Sequence, residues 1–179
     1  MKTEKRLAEQ RIRRHGVKVE SRLDRLRKLH FKKYDDLLDT GDYGPTWLQR
    51  SVLADIVVKA LQYRDQRVYD LIAWCVMPNH VHLVFETNAE YAKHGKRGRS
   101  PYWVTNILEN LKWYTAKECN KVLKQKGRFW QSESYDHVVR QSEELDRIVR
   151  YVMNNPVKSG LVNGMQEYKY YWCLEKFEM

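Results

Sequence analysis

The sequence predicts an α+β fold in which helices cover an antiparallel sheet, and three observations carry that expectation. Two β-rich runs, Val68 to Met77 and His80 to Thr87, are separated only by Pro78-Asn79, a pair that breaks strands and favours a turn. Stripes of apolar residues at helical spacing stand on either side of this hairpin. The order along the chain is helix, strand, strand, helix, strand, helix, which layers helices on an antiparallel sheet.

The chain opens on charge. Residues 1 to 33 hold thirteen Lys or Arg against four acids, so nearly all of the formal net charge of +10 lies there. The segment to residue 45 reads as a basic helical arm. In it Leu23, Leu26 and Leu29, followed by Leu37 and Leu38, have partly helical spacing, and Thr40-Gly41-Asp42 stops the helix. A solvated helix or disordered tail and a grip on phosphates are both open readings of it.

From Ser51 to Tyr63 the set Val52, Ile56, Val57, Ala60 and Leu61 falls on one helix face, with Ser51 as N-cap. After the hairpin, Asn88 to Ser100 has no periodicity and reads as a basic loop carrying Arg97 and Arg99. A helix from about Trp103 to Leu123 would bury Val104, Ile107, Leu108, Leu111, Ala116 and Val122, with Gly127 ending its tail. Ser134 to Arg140 alternates enough for a third strand. Glu143 to Asn154 is an amphipathic helix with Leu145, Ile148, Val149 and Val152 inward, ending before Pro156.

At 179 residues the chain fits one domain of ordinary size with a real core. Its positive charge attracts polyanions, of which nucleic acid is the commonest. Cys75, Cys119 and Cys173 are odd in number and far apart, which argues against a disulfide framework or a CxxC zinc site and fits a reducing cytoplasm. The longest apolar stretch, Leu71 to Pro78, is far short of the roughly 20 residues a membrane span needs, and the charged first residues lack the apolar run of a secretory signal.

The chemistry centres on His80 and His82. In a strand they project from one face about 7 Å apart, and Val81 and Leu83 bury the other. Two such imidazoles can share a divalent metal and leave coordination positions open for catalysis. An HxH alone more often marks surface or hydrogen-bonded histidines, so context decides. Asn79 is placed to set the turn or an imidazole tautomer. Tyr151 and Asn155 lie one above the other at i and i+4 on the last helix. If that face crosses the histidines, Asn155 can be a third ligand while the Tyr151 phenol points at the same metal. On spacing alone, a helix C-cap for Asn155 and a rim aromatic for Tyr151 stand beside this reading.

Three ordered strings carry a family resemblance: Trp74-Cys75-Val76-Met77-Pro78-Asn79-His80-Val81-His82, then Phe129-Trp130-Gln131-Ser132-Glu133-Ser134-Tyr135-Asp136-His137, then Tyr151 through Asn155-Pro156-Val157-Lys158-Ser159-Gly160-Leu161-Val162. With the Leu111 to Ala116 helix between the first two, residues 46 to 162 resemble the REP-associated tyrosine transposases, HUH single-tyrosine relatives of the small insertion-sequence transposases. The resemblance implies a ferredoxin-like, RRM-like sheet over residues 46–179 behind an arm of residues 1–45. It implies His80, His82 and Asn155 as metal ligands, Tyr151 as nucleophile, and Mg²⁺ or Mn²⁺ as cofactor. The implied partner is single-stranded DNA with palindromic hairpins, cleaved and rejoined through a 5′-phosphotyrosine, by a monomer in preference to a dimer. A phenol of ordinary pKa, about 10, needs such a metal to attack at neutral pH.

Tyr114 is the rival nucleophile, although packing or stacking on a base suits it better. Arg97, Arg99, Lys112, Arg140 and Lys158 are candidate phosphate contacts, and Glu133 and His137 could orient substrate or serve structure. The chain departs from the family pattern in lacking a convincing strand before its first helix. A non-catalytic or domesticated DNA-binding protein of the same fold is therefore the alternative, and a metallohydrolase using water is a third reading.

Overall fold

The computed structural model of the protein describes residues 44–88, 103–132 and 134–177. The arm expected over residues 1–45, apart from its last two residues, lies outside the described residues, as do the loop with Arg97 and Arg99, and Glu133. Contacts divide the chain into Met1–Asp42 and Tyr43–Met179, and everything below belongs to the second unit.

The elements are α1 (Ser51–Arg64), β1 (Tyr69–Val76), β2 (Val81–Thr87), α2 (Trp103–Leu123), α3 (Ser142–Lys158) and β3 (Tyr171–Cys173). The sheet has the order β2-β1-β3, antiparallel throughout, so the α+β class is the one the sequence predicts. Strand β1 is central, and its neighbours cover both of its edges. Its two faces are also both covered, which is why it reads as a nearly continuous apolar run.

A bulge decides which side chains share a face. The β1–β2 register shifts between Leu71 and Ala73, so Ile72 is the extra residue and the strand changes parity there. Leu71, Trp74 and Val76 consequently pack with α1 and α2, while Ala73, Cys75 and Met77 pack with Val149, Val152 and Met153 of α3. Opposite Cys75 stands His82, which places its side chain toward α3. Val81 and Leu83 pack on the α1/α2 side, as their alternation predicts.

In α1 the buried residues are Leu53, Ala54, Val57, Ala60 and Leu61; Val52, expected inside, is 44% exposed. The core draws in the side of the helix one residue round from the one read in the sequence. Ser51 is the first helical residue rather than the N-cap; Arg50 occupies that position without a side-chain bond. Helix α2 has the predicted span, yet its buried stripe is Ile107, Leu111, Thr115 and Cys119. Thr115 and Cys119 are additions to the stripe expected from the sequence. Thr115 is satisfied internally: its hydroxyl donates to the Leu111 carbonyl (2.8 Å) and accepts from the Trp130 indole N–H (2.8 Å). Phe129 stacks on Trp47 with centroids 5.0 Å apart, which anchors the segment after α2. That helix stops at Leu123, where Lys124 turns to φ 54°, and Gly127 (φ 104°) lies farther along the tail.

Two expectations need correction. Ser134 to Arg140 is irregular and largely exposed, with Val138 at 68%, because its alternation has no apolar layer to face. The third strand is instead Tyr171–Cys173, too short to leave a periodic signal. Helix α3 also runs through Pro156 to Lys158. Proline there removes one intrahelical donor, to the Val152 carbonyl, and the final turn closes by bonds from Ser159 N–H to the Asn155 carbonyl (2.9 Å) and Leu161 N–H to the Pro156 carbonyl (2.9 Å). Asn155 is therefore a fully buried residue within the helix, not its C-cap. Among the described residues no helix is long and apolar enough to cross a membrane.

Candidate active site on the histidine face of the sheet

The turn between β1 and β2 sets up the first imidazole. Met77 N–H bonds the His80 carbonyl (2.9 Å), and the Pro78 carbonyl accepts from Leu48 N–H (3.0 Å), so the Pro78-Asn79 corner is tied on both sides. Asn79 Oδ1 lies 2.7 Å from His80 Nδ1. An amide oxygen only accepts, so Nδ1 carries the proton and His80 Nε2 keeps its lone pair.

That lone pair points at the second histidine. His80 Nε2 and His82 Nε2 are 2.9 Å apart, with the rings edge-on. From α3, 73 residues later in the chain, the Asn155 side-chain amide nitrogen comes to 2.8 Å from His82 Nε2. Burial lowers the pKa of His80 to about 4. Burial likewise holds His82 well below the ordinary imidazole value, helped by His80 and Lys158. Both rings are thus neutral at pH 7, the charge state in which histidine binds metal.

Tyr151 completes the group. Its half-buried ring stands edge-on to His82, centroids 6.0 Å apart, and the Lys158 ammonium lies 5.3 Å from the phenol ring centroid. Tyr151, Asn155 and Lys158 follow one another at i, i+4 and i+7, a single stripe of α3. The sequence marked Lys158 as a phosphate contact; its place over Tyr151 is a further consequence of that spacing.

The donor set fits a divalent cation. Among the described residues no group of three or more His, Cys, Asp or Glu is arranged to hold a metal, so the third donor on offer is an amide. Asn155 Oδ1 is buried without a hydrogen-bond partner, a loss worth about 1–3 kcal/mol. The two ends of an amide exchange by a half-turn of the side chain, and a cation beside the paired Nε2 atoms is the partner the oxygen lacks. Two ligands about 2.1 Å from a metal and at right angles to each other are about 3.0 Å apart, close to the 2.9 Å between the imidazole nitrogens.

The other candidates lie elsewhere. Tyr114, on α2, is across the sheet from His82 with Arg64 against its ring (5.4 Å), so the structure does not bring it to the histidines. Lys112 Nζ donates to the Gln131 carbonyl (2.9 Å), which holds the Phe129–Ser132 segment to α2. His137 pairs with Glu144 (3.2 Å) near the start of α3, and Arg140 is exposed beside them.

An antiparallel sheet that presents two facing histidines to a tyrosine-bearing helix is what the resemblance of the sequence to the single-tyrosine transposases leads one to expect. The family model described as "Transposase IS200 like" matches residues 45–155, more than half of the chain, and the chain belongs to that family. It is 27% identical over 110 residues to a Haemophilus influenzae protein provisionally named a REP-associated tyrosine transposase, an alignment covering 57% of each chain. It is 20% identical over 125 residues to the REP-associated tyrosine transposase of Escherichia coli K12, covering 68% of this chain and 63% of that one. The similarity thus spans about three-fifths of the length of these relatives. No solved structure matches.

Proposed function

We propose that the chain is a metal-dependent DNA strand transferase that cleaves and rejoins single-stranded, hairpin-containing DNA through Tyr151. The observation that carries this reading is the meeting of His80, His82, Asn155 and Tyr151 from two elements far apart in the chain.

In this reading His80, His82 and Asn155 would hold Mg²⁺ or Mn²⁺, which would supply positive charge to polarise the phosphate and favour phenolate. The Tyr151 oxygen forms a bond to phosphorus and loses its proton; the bond from phosphorus to the 3′ oxygen breaks, and that oxygen takes up a proton. A 5′-phosphotyrosine and a free 3′-OH result. The link conserves the phosphodiester energy, so a second 3′-OH displaces the phenol and joins strands without a nucleotide cofactor. Lys158, beside Tyr151, and Arg140, near the start of α3, are the phosphate contacts proposed among the described residues. Arg97, Arg99 and the basic residues of the arm, all outside the described residues, are further candidates for contact with DNA phosphates. Lys112, occupied by backbone carbonyls, is the weakest of the five candidate phosphate contacts.

The test is incubation with 5′- and 3′-labelled single-stranded hairpin oligonucleotides in Mn²⁺ or EDTA, read on a denaturing gel. The expected result is a metal-dependent covalent adduct, absent from Tyr151→Phe and His80→Ala. Binding without an adduct across a broad oligonucleotide pool would favour the DNA-binding alternative, and cleavage surviving Tyr151→Phe would point to attack by water.

A further inference from the structure

The side of the sheet away from the histidines is covered by α1 and α2, and the outer surface of these helices carries large rings in solvent. Tyr63 is 68% exposed, Trp113 64% and Tyr114 41%. Each has a cation against its ring: Arg67 at 4.4 Å from the Tyr63 centroid, Lys117 at 5.1 Å from Trp113, Arg64 at 5.4 Å from Tyr114.

The arrangement is held in place. Arg67 donates to the Tyr63 carbonyl (2.8 Å) and Arg64 to the Ala60 carbonyl (2.8 Å), while a second Arg64 nitrogen reaches Asn110 Oδ1 (3.1 Å) and so joins the two helices. Along α2, Asn110, Trp113, Lys117 and Lys121 follow at steps of three, four and four, one stripe, with Tyr114 beside it four residues after Asn110. Of the nearby carboxylates, Glu118 is engaged by Lys121 (2.7 Å) and Asp65 accepts from the backbone N–H of Leu71 (2.8 Å); Glu109 flanks Asn110.

We propose that this outer face of α1 and α2 is a second contact surface for single-stranded DNA, remote from Tyr151. Unpaired bases stack on Tyr63 and Trp113 while Arg67 and Lys117 take the adjoining phosphates. Open rings interleaved with cations match a strand whose bases and charges alternate. The choice of DNA as the strand rests on the strand-transferase reading; the surface itself does not depend on any chemistry at Tyr151.

The experiment is fluorescence anisotropy with a labelled oligo-dT of about 15 nucleotides, in EDTA so that no strand transfer intervenes. Trp113→Ala and Tyr63→Ala each weaken binding roughly tenfold, whereas Trp113→Phe, which keeps a stacking ring, stays within about threefold of wild type. Lys117→Gln and Arg67→Gln each lower the salt slope by about 0.7. Melting temperatures of the variants serve as the fold control, since all four side chains are on the surface. Unchanged oligo-dT affinity in both alanine variants would overturn the proposal, as would a blunt duplex of equal length bound equally well and weakened equally by them. The two readings fail separately. If wild type forms no adduct on hairpin DNA yet Trp113→Ala loses oligo-dT, the surface stands and the strand-transfer reading falls.

Discussion

The side chain of Asn155 lies 2.8 Å from His82 Nε2 although 73 residues separate them, and its other polar atom, Oδ1, is buried with no partner. A helix that buries an amide against two neutral imidazoles has given up apolar packing at that position, and the geometry is explained if a cation is shared there.

Asn155→Ala therefore weakens binding of Mn²⁺ by about tenfold or more, and Asn155→Asp strengthens it by adding a charge. In the metal-free protein the order reverses for the charged variant: a buried, unpaired carboxylate lowers its melting temperature below that of wild type. Calorimetric titration with Mn²⁺ and thermal melts in EDTA and in Mn²⁺ measure both effects. Equal affinity in wild type and Asn155→Ala would remove Asn155 from the ligand set.

Tyr151 and Tyr114 are on opposite sides of the sheet, and the covalent adduct distinguishes them by mass. Trypsin cuts after Arg150 and Lys158, and also after Lys112 and Lys117, so the two tyrosines fall in separate short peptides. After nuclease trimming, the nucleotide mass is expected on the peptide from Tyr151 to Lys158. A nucleotide on the peptide from Trp113 to Lys117 would transfer the nucleophile to Tyr114.

Thr115→Val keeps the shape of the buried side chain and deletes its hydroxyl. The Trp130 indole N–H, now 2.8 Å from that oxygen, loses its acceptor. The expected cost is about 1–2 kcal/mol, read as a fall in melting temperature of about 3–6 °C, with metal binding unaffected.

Stability falls in alkali. Burial, with Glu118 assisting, raises the Cys119 thiol from its ordinary 9.0 to about 11, so the folded chain keeps a proton that the unfolded chain releases. Below about pH 9 the group is protonated in both states and contributes no slope; between about 9 and 11 stability declines as pH rises. Burial raises Tyr69 and Tyr168 above the ordinary phenol value too, so both steepen the decline above about pH 10. Urea midpoints measured from pH 8 to 11 report the slope. Cys119→Ala, although it carries its own packing cost, removes the first part of that slope.

Much of the site was readable from local pattern. The alternation Val81, His82, Leu83 assigns His80 and His82 to one face whatever the tertiary fold, since strand parity is a property of the backbone. The spacing of Tyr151 and Asn155 similarly assigns them to one face of a helix. Failures came where a residue's type misstates its environment. Thr115 is buried because Trp130 and Leu111 satisfy it, Val138 is exposed because nothing apolar lies opposite, and Pro156 is helical because it falls in the closing turn.

The amino-acid pattern by itself determined the three helices, the hairpin with its Pro78-Asn79 corner, and the pairing of the catalytic candidates within each element. Only the tertiary structure decided that α3 lies over the histidines, that Tyr114 is on the far side, that Ile72 bulges to change the parity of β1, and that the third strand is Tyr171–Cys173. The division follows from range. Backbone periods are set by neighbours within a few residues, whereas the contact of Asn155 with His82 is set by which apolar faces bury each other, and that depends on the whole core at once.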